Sequence, residues 1–242
     1  MKRGLSAVPA QQDLSFEAVI ADTEAARRIH YGLRYRVYCL ETGFEEPSPA
    51  WRAEEKDRYD EQAVHFLIRC LTTGDWVAAA RLIVRRDLPL PIETYCRLDA
   101  RRVAEVGTPG GEVSRLLIVR TSGLDALEEG VAPGLRSGPR AAARWHAAQY
   151  RSEILRRLLI ALVTRARELG VRELAYFLTP ALQRIIQRLG IEFRVVGEPC
   201  EHRGLRYPGV SNVEAGLSAL YAVSRAGNLE IGTPYHLFSQ WA

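Results

Sequence analysis

The sequence predicts an α/β (α+β) fold in which one mostly antiparallel sheet is flanked by helices. Three observations predict it. Apolar runs of strand length, FEAVIA, HFLIRCL, WVAAARLIV and EVSRLLIVR, crowd the first half of the chain. Two of them are joined by TTGD, a hairpin turn. The second half alternates helix-patterned and strand-patterned stretches with no internal repeat. Residues 1–242 read as a single domain, with 1–15 a loose N-terminus, 121–150 an insertion loop and 212–242 a C-terminal helix and tail.

Each element has its own reason. FEAVIA, residues 16–21, alternates as a short strand does. Asp22 or Thr23 can cap the helix that follows, and Ala26, Ile29, Leu33 and Val37 give that helix one apolar face. Arg34 and Tyr38 project one turn apart from it. Gly43, Pro47 and Pro49 end the pattern and open a loop to about Glu54. HFLIRCL and WVAAARLIV form the hairpin, and Arg81 inside the second strand demands a carboxylate partner. Residues 85–110 read as loop with one short helix near 97–104. Glu112–Arg120 is a third strand, with Glu112 and Ser114 on one face and Val113 and Arg115 on the other if the pleat is regular. A bulge would change that assignment. Residues 151–169 form the clearest helix, stopped by Gly170. VRELAYFLT is a strand, Pro180 opens the next helix, IEFRVVG is a strand and EHRGLRYPG an edge segment before a last helix.

Composition narrows the function classes. Of 242 residues, 47% are hydrophobic, enough for a sizeable core. The net charge of +4 comes from interspersed signs, without the concentrated basic stripe of a nucleic-acid binder. No apolar run approaches the ~20 residues that span a bilayer, and MKRGLSAVPAQQ lacks a secretory apolar core. Cys39, Cys70, Cys96 and Cys200 are widely spaced, which reads as free thiols in a reducing compartment. We expect a cytoplasmic protein without stable membrane insertion.

The chemistry concentrates in two stretches. Glu55, Asp57 and Asp60 fall within six residues, and EVSR carries Glu112, Ser114 and Arg115. A fold that joined these to Arg34 and Arg81 would hold a mixed ion cluster, which occurs at sites and also as structural bracing. A nucleophilic hydrolase lacks support, because no G-x-S-x-G elbow is present. A metal site from the clustered carboxylates lacks the spacing of a calcium loop and has cations interleaved, so none is assigned. Acyl transfer to an amine remains, which needs a carboxylate base, donors for an oxyanion and an apolar channel. Arg151, Arg156 and Arg157, with Arg165 and Arg167, make one long helix basic, either as a solvated face or as a docking surface for an acidic carrier protein.

The order Arg34, Tyr38, Phe44, then E-x-D-x-x-D, then a strand arginine, then E-x-S-R resembles the pattern of acyl-homoserine lactone synthases. RYRVYCLETGFE, YDEQAVHFLIR, EVSRLLIVR, PALQRIIQRLGIEF and EHRGLRYP are more similar to their relatives, the N-acyl amino acid synthases and the acyltransferases associated with PEP-CTERM/exosortase systems. The resemblance implies a GNAT-like acyl-CoA N-acyltransferase fold. A thioester would enter between two splayed strands, those of Glu112–Arg120 and Glu173–Thr179. It implies no permanently bound cofactor and a donor on acyl carrier protein or on CoA. Arg34, Glu55, Asp57, Asp60, Arg81, Glu112 and Arg115 fall on the family's charged core. Catalysis would rest on Glu55 or Glu112 as base, with Arg115 and Ser114 beside them. Arg34, Tyr38, Phe44, Asp57, Asp60 and Arg81 would shape the substrate site, and the arginines could hold an acceptor carboxylate. Phe44 stands where homoserine lactone synthases carry tryptophan, which weighs against S-adenosylmethionine as acceptor. The run Arg120-Thr-Ser-Gly123-Leu-Asp125 begins a pyrophosphate loop and does not complete it, which favours a carrier-protein donor. The expected function is an N-acyltransferase acting on the amine of an amino acid or similar molecule. The alternatives are a homoserine lactone synthase and a non-catalytic acyl-binding module.

Overall fold

The structure is a computed structural model that describes residues 14–49, 51–119, 139–226 and 232–241, with backbone alone at 139–147 and 241. In chain order the elements are β1 (Phe16–Ile20), α1 (Glu24–Arg34), a π-helical continuation (Tyr35–Glu41), a 3₁₀ turn (Asp60–Gln62), β2 (Ala63–Cys70), β3 (Trp76–Val84), α2 (Pro91–Tyr95), α3 (Ala100–Val106) and β4 (Gly111–Ile118). There follow α4 (Pro139–Glu168), β5 (Glu173–Leu178), α5 (Pro180–Arg188), β6 (Arg194–Val195), β7 (Cys200–Glu201), β8 (Leu205–Asn212), α6 (Val213–Ala226) and β9 (His236–Leu237).

One sheet organises them, in the order β6-β8-β5-β4-β3-β2-β1-β9, with β7 paired to β8. The pairings are antiparallel except β4 with β5 and β1 with β9. The expected mostly antiparallel sheet with helices on its faces is therefore what the chain forms. On one face α4 covers Phe66, Ile68, Ala78, Ala80, Leu82 and Val113, and α6 packs against α4 and β8. On the other, α1 covers Val19, Leu67, Ala79 and Leu117, and Leu90 and Ile92 cover Ile83 and Ala175.

Thr23 is the N-cap of α1, its hydroxyl accepting from the Ala26 amide. Three expectations need correction. The segment 121–150 is not loop throughout: α4 begins at Pro139, because the alanine-rich stretch after that proline favours helix more than its glycine and proline neighbours favour coil. Two short helices, α2 and α3, replace the one expected between 85 and 110. EHRGLRYPG is not an edge: β8, which contains Pro208, lies between β5 and β6. Pro208 is tolerated there because the Val196 carbonyl, its would-be partner, accepts from the Asp99 amide instead. The N-terminal segment 1–13 and the run from Arg120 to Asp125 lie outside the described residues.

Candidate active site

The parallel pair β4–β5 is the seat of the site. It is hydrogen-bonded only over Gly111↔Leu174, Glu112↔Ala175 and Val113↔Tyr176, after which the strands part. Two further features open this region. The β3–β4 register shifts between Ala79 and Arg81, and Arg115 adopts φ 50°. This bulge turns Arg115 toward the side on which Ser114 already lies, so the expected separation of the two onto opposite faces does not hold.

The charged residues converge as the sequence suggested. Arg81 on β3 is 1% exposed and fully engaged. Its Nη1 donates to Asp57 Oδ1 at 2.6 Å and to Asp60 Oδ1 at 2.6 Å, its Nη2 to Asp57 Oδ2 at 2.7 Å and its Nε to Ser114 Oγ at 2.8 Å. Arg34, at the end of α1, is 0% exposed and donates to Glu55 at 2.5 Å and Asp60 at 2.6 Å. Arg115 donates to Glu45 at 2.8 Å and to Glu55 and Asp57 at 3.1 Å each. Tyr38 lies under the Arg115 guanidinium, 5.4 Å from the ring centroid, and its hydroxyl donates to the Leu116 carbonyl. His65 shares Asp60, 3.1 Å from Oδ1.

Two electrostatic regimes follow. Burial alone would raise the carboxyls of Glu55, Asp57 and Asp60, but the bonds and charges of their arginine partners, and for Asp60 the His65 hydrogen bond, outweigh it and hold all three below the usual carboxylate range. These groups stay ionised and make poor proton acceptors. Glu112 is the opposite case. It is 1% exposed, and burial pushes its carboxyl up to about 8, against a single opposing bond from the Ile92 amide at 2.8 Å and the weaker pull of Arg81. That amide is one of the donors at the start of α2 that no helical carbonyl can satisfy.

A cleft opens at the parting of β4 and β5. Seven of the ten expected catalytic and substrate-site residues line it: Tyr38, Phe44, Asp57, Arg81, Glu112, Ser114 and Arg115. Arg34, Glu55 and Asp60 do not reach the cleft and stand behind its wall. The cleft continues past Tyr176 and Leu178 to Leu182 and Ile186 of α5, so its far end is apolar. It encloses about 130 Å³, less than the ~300 Å³ at which small-ligand sites usually begin.

Residues the sequence reading missed also line the cleft, Tyr95, His202, Arg203 and Arg206, and Glu45 pairs with Arg115 and Arg203 beside it. EHRGLRYP was singled out by resemblance, but nothing in its spacing shows that a hairpin would fold it over a cleft. Of the proposed docking arginines, Arg157 pairs with Glu153 and is about one-fifth exposed, while Arg156 is half-buried with its Nε enclosed. Arg151 is half-buried as well. Cys39 and Cys70 are buried, whereas Cys96 and Cys200 are half-buried with their sulfurs 3.3 Å apart. Among the described residues no group of three or more His, Cys, Asp or Glu side chains is arranged to hold a metal ion, and no helix is long and apolar enough to cross a membrane.

Comparison with known proteins gives the arrangement a context. Residues 33–122 match the acetyltransferase (GNAT) domain model, which runs from the end of α1 through β4 and so contains the charged cluster. No curated protein matches the chain significantly. The fold is similar to TofI in a ternary complex with an inhibitor and MTA, at 21% identity over 88% of this chain and 97% of that one, TM-score 0.58. It is similar to the CoA-dependent acyl-homoserine lactone synthase BjaI with SAM and isopentyl-CoA, at 15% identity over 90% and 92%, TM-score 0.57. It is also similar to FeeM, an N-acyl amino acid synthase from uncultured soil microbes, at 14% identity over 86% and 96%, TM-score 0.53. The chain therefore carries a GNAT-type acyltransferase domain match in the fold of the acyl-homoserine lactone and N-acyl amino acid synthases, which supports an acyltransferase enzyme.

Proposed function

We propose that the protein is an N-acyltransferase that moves a long-chain fatty acyl group from a thioester, on acyl carrier protein or on CoA, to the amine of an amino acid or similar small molecule. The observation that carries this reading is a buried, proton-accepting carboxyl, Glu112, set where two parallel strands part and an apolar channel begins. Glu112 is the base, directly or through one water, and Glu55 is not, because Arg34 and Arg115 hold it ionised behind the wall.

The chemistry balances with these groups alone. An acceptor arrives as an ammonium and gives one proton to the Glu112 carboxylate, which frees its lone pair. The nitrogen attacks the thioester carbon, the C–N bond forms, the C–S bond breaks, and the second proton goes to the departing thiolate. The net products are an amide, a thiol and one proton. Arg81 occupies the Ser114 oxygen as donor, so the Ser114 hydroxyl hydrogen is left to point at the oxyanion. In this reading Arg34, Asp57, Asp60 and Arg81 position β3, β4 and the intervening loop.

A purified preparation offered acyl-loaded carrier protein and acyl-CoA in parallel, each with a panel of amino acids, tests the reading by mass spectrometry of N-acyl products. Product from one donor and not the other also names the carrier. A second reading, a homoserine lactone synthase, is favoured by the fold shared with BjaI, and it predicts a lactone product from S-adenosylmethionine instead. Carrier protein and CoA thioesters both belong to the cytoplasm, where this activity would operate.

A further inference from the structure

The mouth of the cleft carries more positive charge than its carboxylates balance. Arg203 pairs with Glu45 Oε1 at 2.5 Å, the same oxygen that Arg115 takes at 2.8 Å, so two cations share one carboxylate oxygen. Arg206 has no carboxylate partner among the described residues. Its Nε donates to the His202 carbonyl at 3.1 Å and its Nη2 to the Arg203 carbonyl at 3.3 Å. These two neutral acceptors fix the orientation of the guanidinium but leave its charge uncompensated. The turn that presents it is packed, because the His202 ring lies 4.5 Å from Tyr95 and 5.5 Å from Phe177. Arg206 is half-buried and lines the same cleft as Glu112. Desolvation and the neighbouring Arg203 depress its pKa, which is the mark of a cation lacking an anion.

Resting on the acyl-transfer reading, we propose that Arg206 reads a carboxylate on the acceptor, so that the substrate class is an amino acid or another amine bearing a carboxylate near its nitrogen. The other arginines of the cluster cannot take this role. Arg34 is wholly buried, Arg81 and Arg115 are already bound to two or more carboxylates each, and Arg203 is held by Glu45. The anion belongs to the acceptor and not to the donor's phosphate for a reason of reach. In an amino acid the amine and the carboxylate are separated by one carbon, so the residue reading the carboxylate must line the cavity that holds the base. The phosphate of a pantetheine arm lies many bonds from its thioester, outside that cavity.

The test compares an L-amino acid with its carboxamide as acceptors for the wild type, Arg206→Met and Arg206→Lys, each checked for an unchanged thermal unfolding transition. A charge-assisted pair of this kind contributes about 10- to 100-fold. The wild type is expected to favour the acid over the amide by that factor in kcat/KM. Arg206→Met should bring the ratio to within about threefold of unity, and Arg206→Lys should restore part of it. An unchanged ratio in Arg206→Met overturns the proposal, as does a rise confined to the KM of the donor, which would mark a phosphate contact. Calorimetric binding of the amino acid separates this claim from the activity. Binding lost in Arg206→Met without any wild-type turnover would keep the carboxylate site and sink acyl transfer, whereas turnover with binding indifferent to Arg206 would do the reverse.

Discussion

At the scale of single residues the account turns on Glu112. Its folded-state pKa, about 8, is raised above the ordinary value of about 4.3 by burial. Only the ionised form can accept a proton, so kcat/KM should rise with pH through about 8 in the wild type. Glu112→Gln should lose ~10²-fold or more in kcat and lose that inflection with it. The same shift acts on stability with the opposite sign. A raised carboxyl contributes stability below the unfolded pKa and loses it as pH climbs toward about 8. Glu112→Gln should therefore be more resistant to denaturant than the wild type above pH 8, by a few kcal/mol, and show little such gain near pH 5. A variant that lost both activity and stability at high pH would instead mark Glu112 as bracing. Ser114→Ala removes one hydroxyl and leaves the Arg81 Nε without its acceptor. It should lower kcat by about 10-fold or more with the KM for the acceptor nearly unchanged, a split that a general loss of fold would not give.

At the scale of elements the sequence was legible where charge or periodicity fixed the answer. The acid–arginine pattern of 34–60, Arg81 and 112–115 singled out four residues that line the cleft, Asp57, Arg81, Glu112 and Arg115, because a buried arginine such as Arg81 needs carboxylates wherever the chain runs. The hairpin of β2 and β3 and the start of α1 were equally plain. Three features were hidden. The bulge at Arg115 depends on β3 and β4 meeting with unequal register, which alternation along β4 alone does not reveal. The π-helical turn Tyr35–Glu41 leaves no mark in the apolar period, yet it carries Tyr38, whose hydroxyl reaches Leu116 and whose ring underlies Arg115. The hairpin of β7 and β8 sets Arg206 over the cleft through long-range pairing with β5. Gly209 tests that strand directly. A Cβ there would lie 2.2 Å from Phe193 Cζ, within a buried ring contact. Gly209→Ala should therefore destabilise the fold by about 1–3 kcal/mol in denaturant titration, and a neutral result would show that Phe193 is free to move.

At the scale of the whole molecule the ion cluster ties distant parts of the chain together. Arg34 from α1, the loop through Glu55, Asp57 and Asp60, Arg81 from β3 and Arg115 from β4 share their bonds within one buried region. Arg34→Met removes one of the two arginines that hold the buried Glu55 carboxylate and one of the three side chains that hold Asp60, and should cost about 3–5 kcal/mol of folding stability. The depressed carboxyls of Glu55, Asp57 and Asp60 contribute stability above their unfolded pKa values, near 4, and lose it as pH falls further, so the wild type should unfold cooperatively in acid. The cluster thus ties β4 to β3, α1 and the loop between them, beside the cleft. The measurement that tests this account most directly is mass spectrometry of lipid extracts from cells expressing the wild type, compared with cells expressing Glu112→Gln. The account predicts new N-acyl amino acids in the wild-type extract and their near absence in the variant. Acyl-homoserine lactones in their place, or the same N-acyl species at equal level in both extracts, would contradict it.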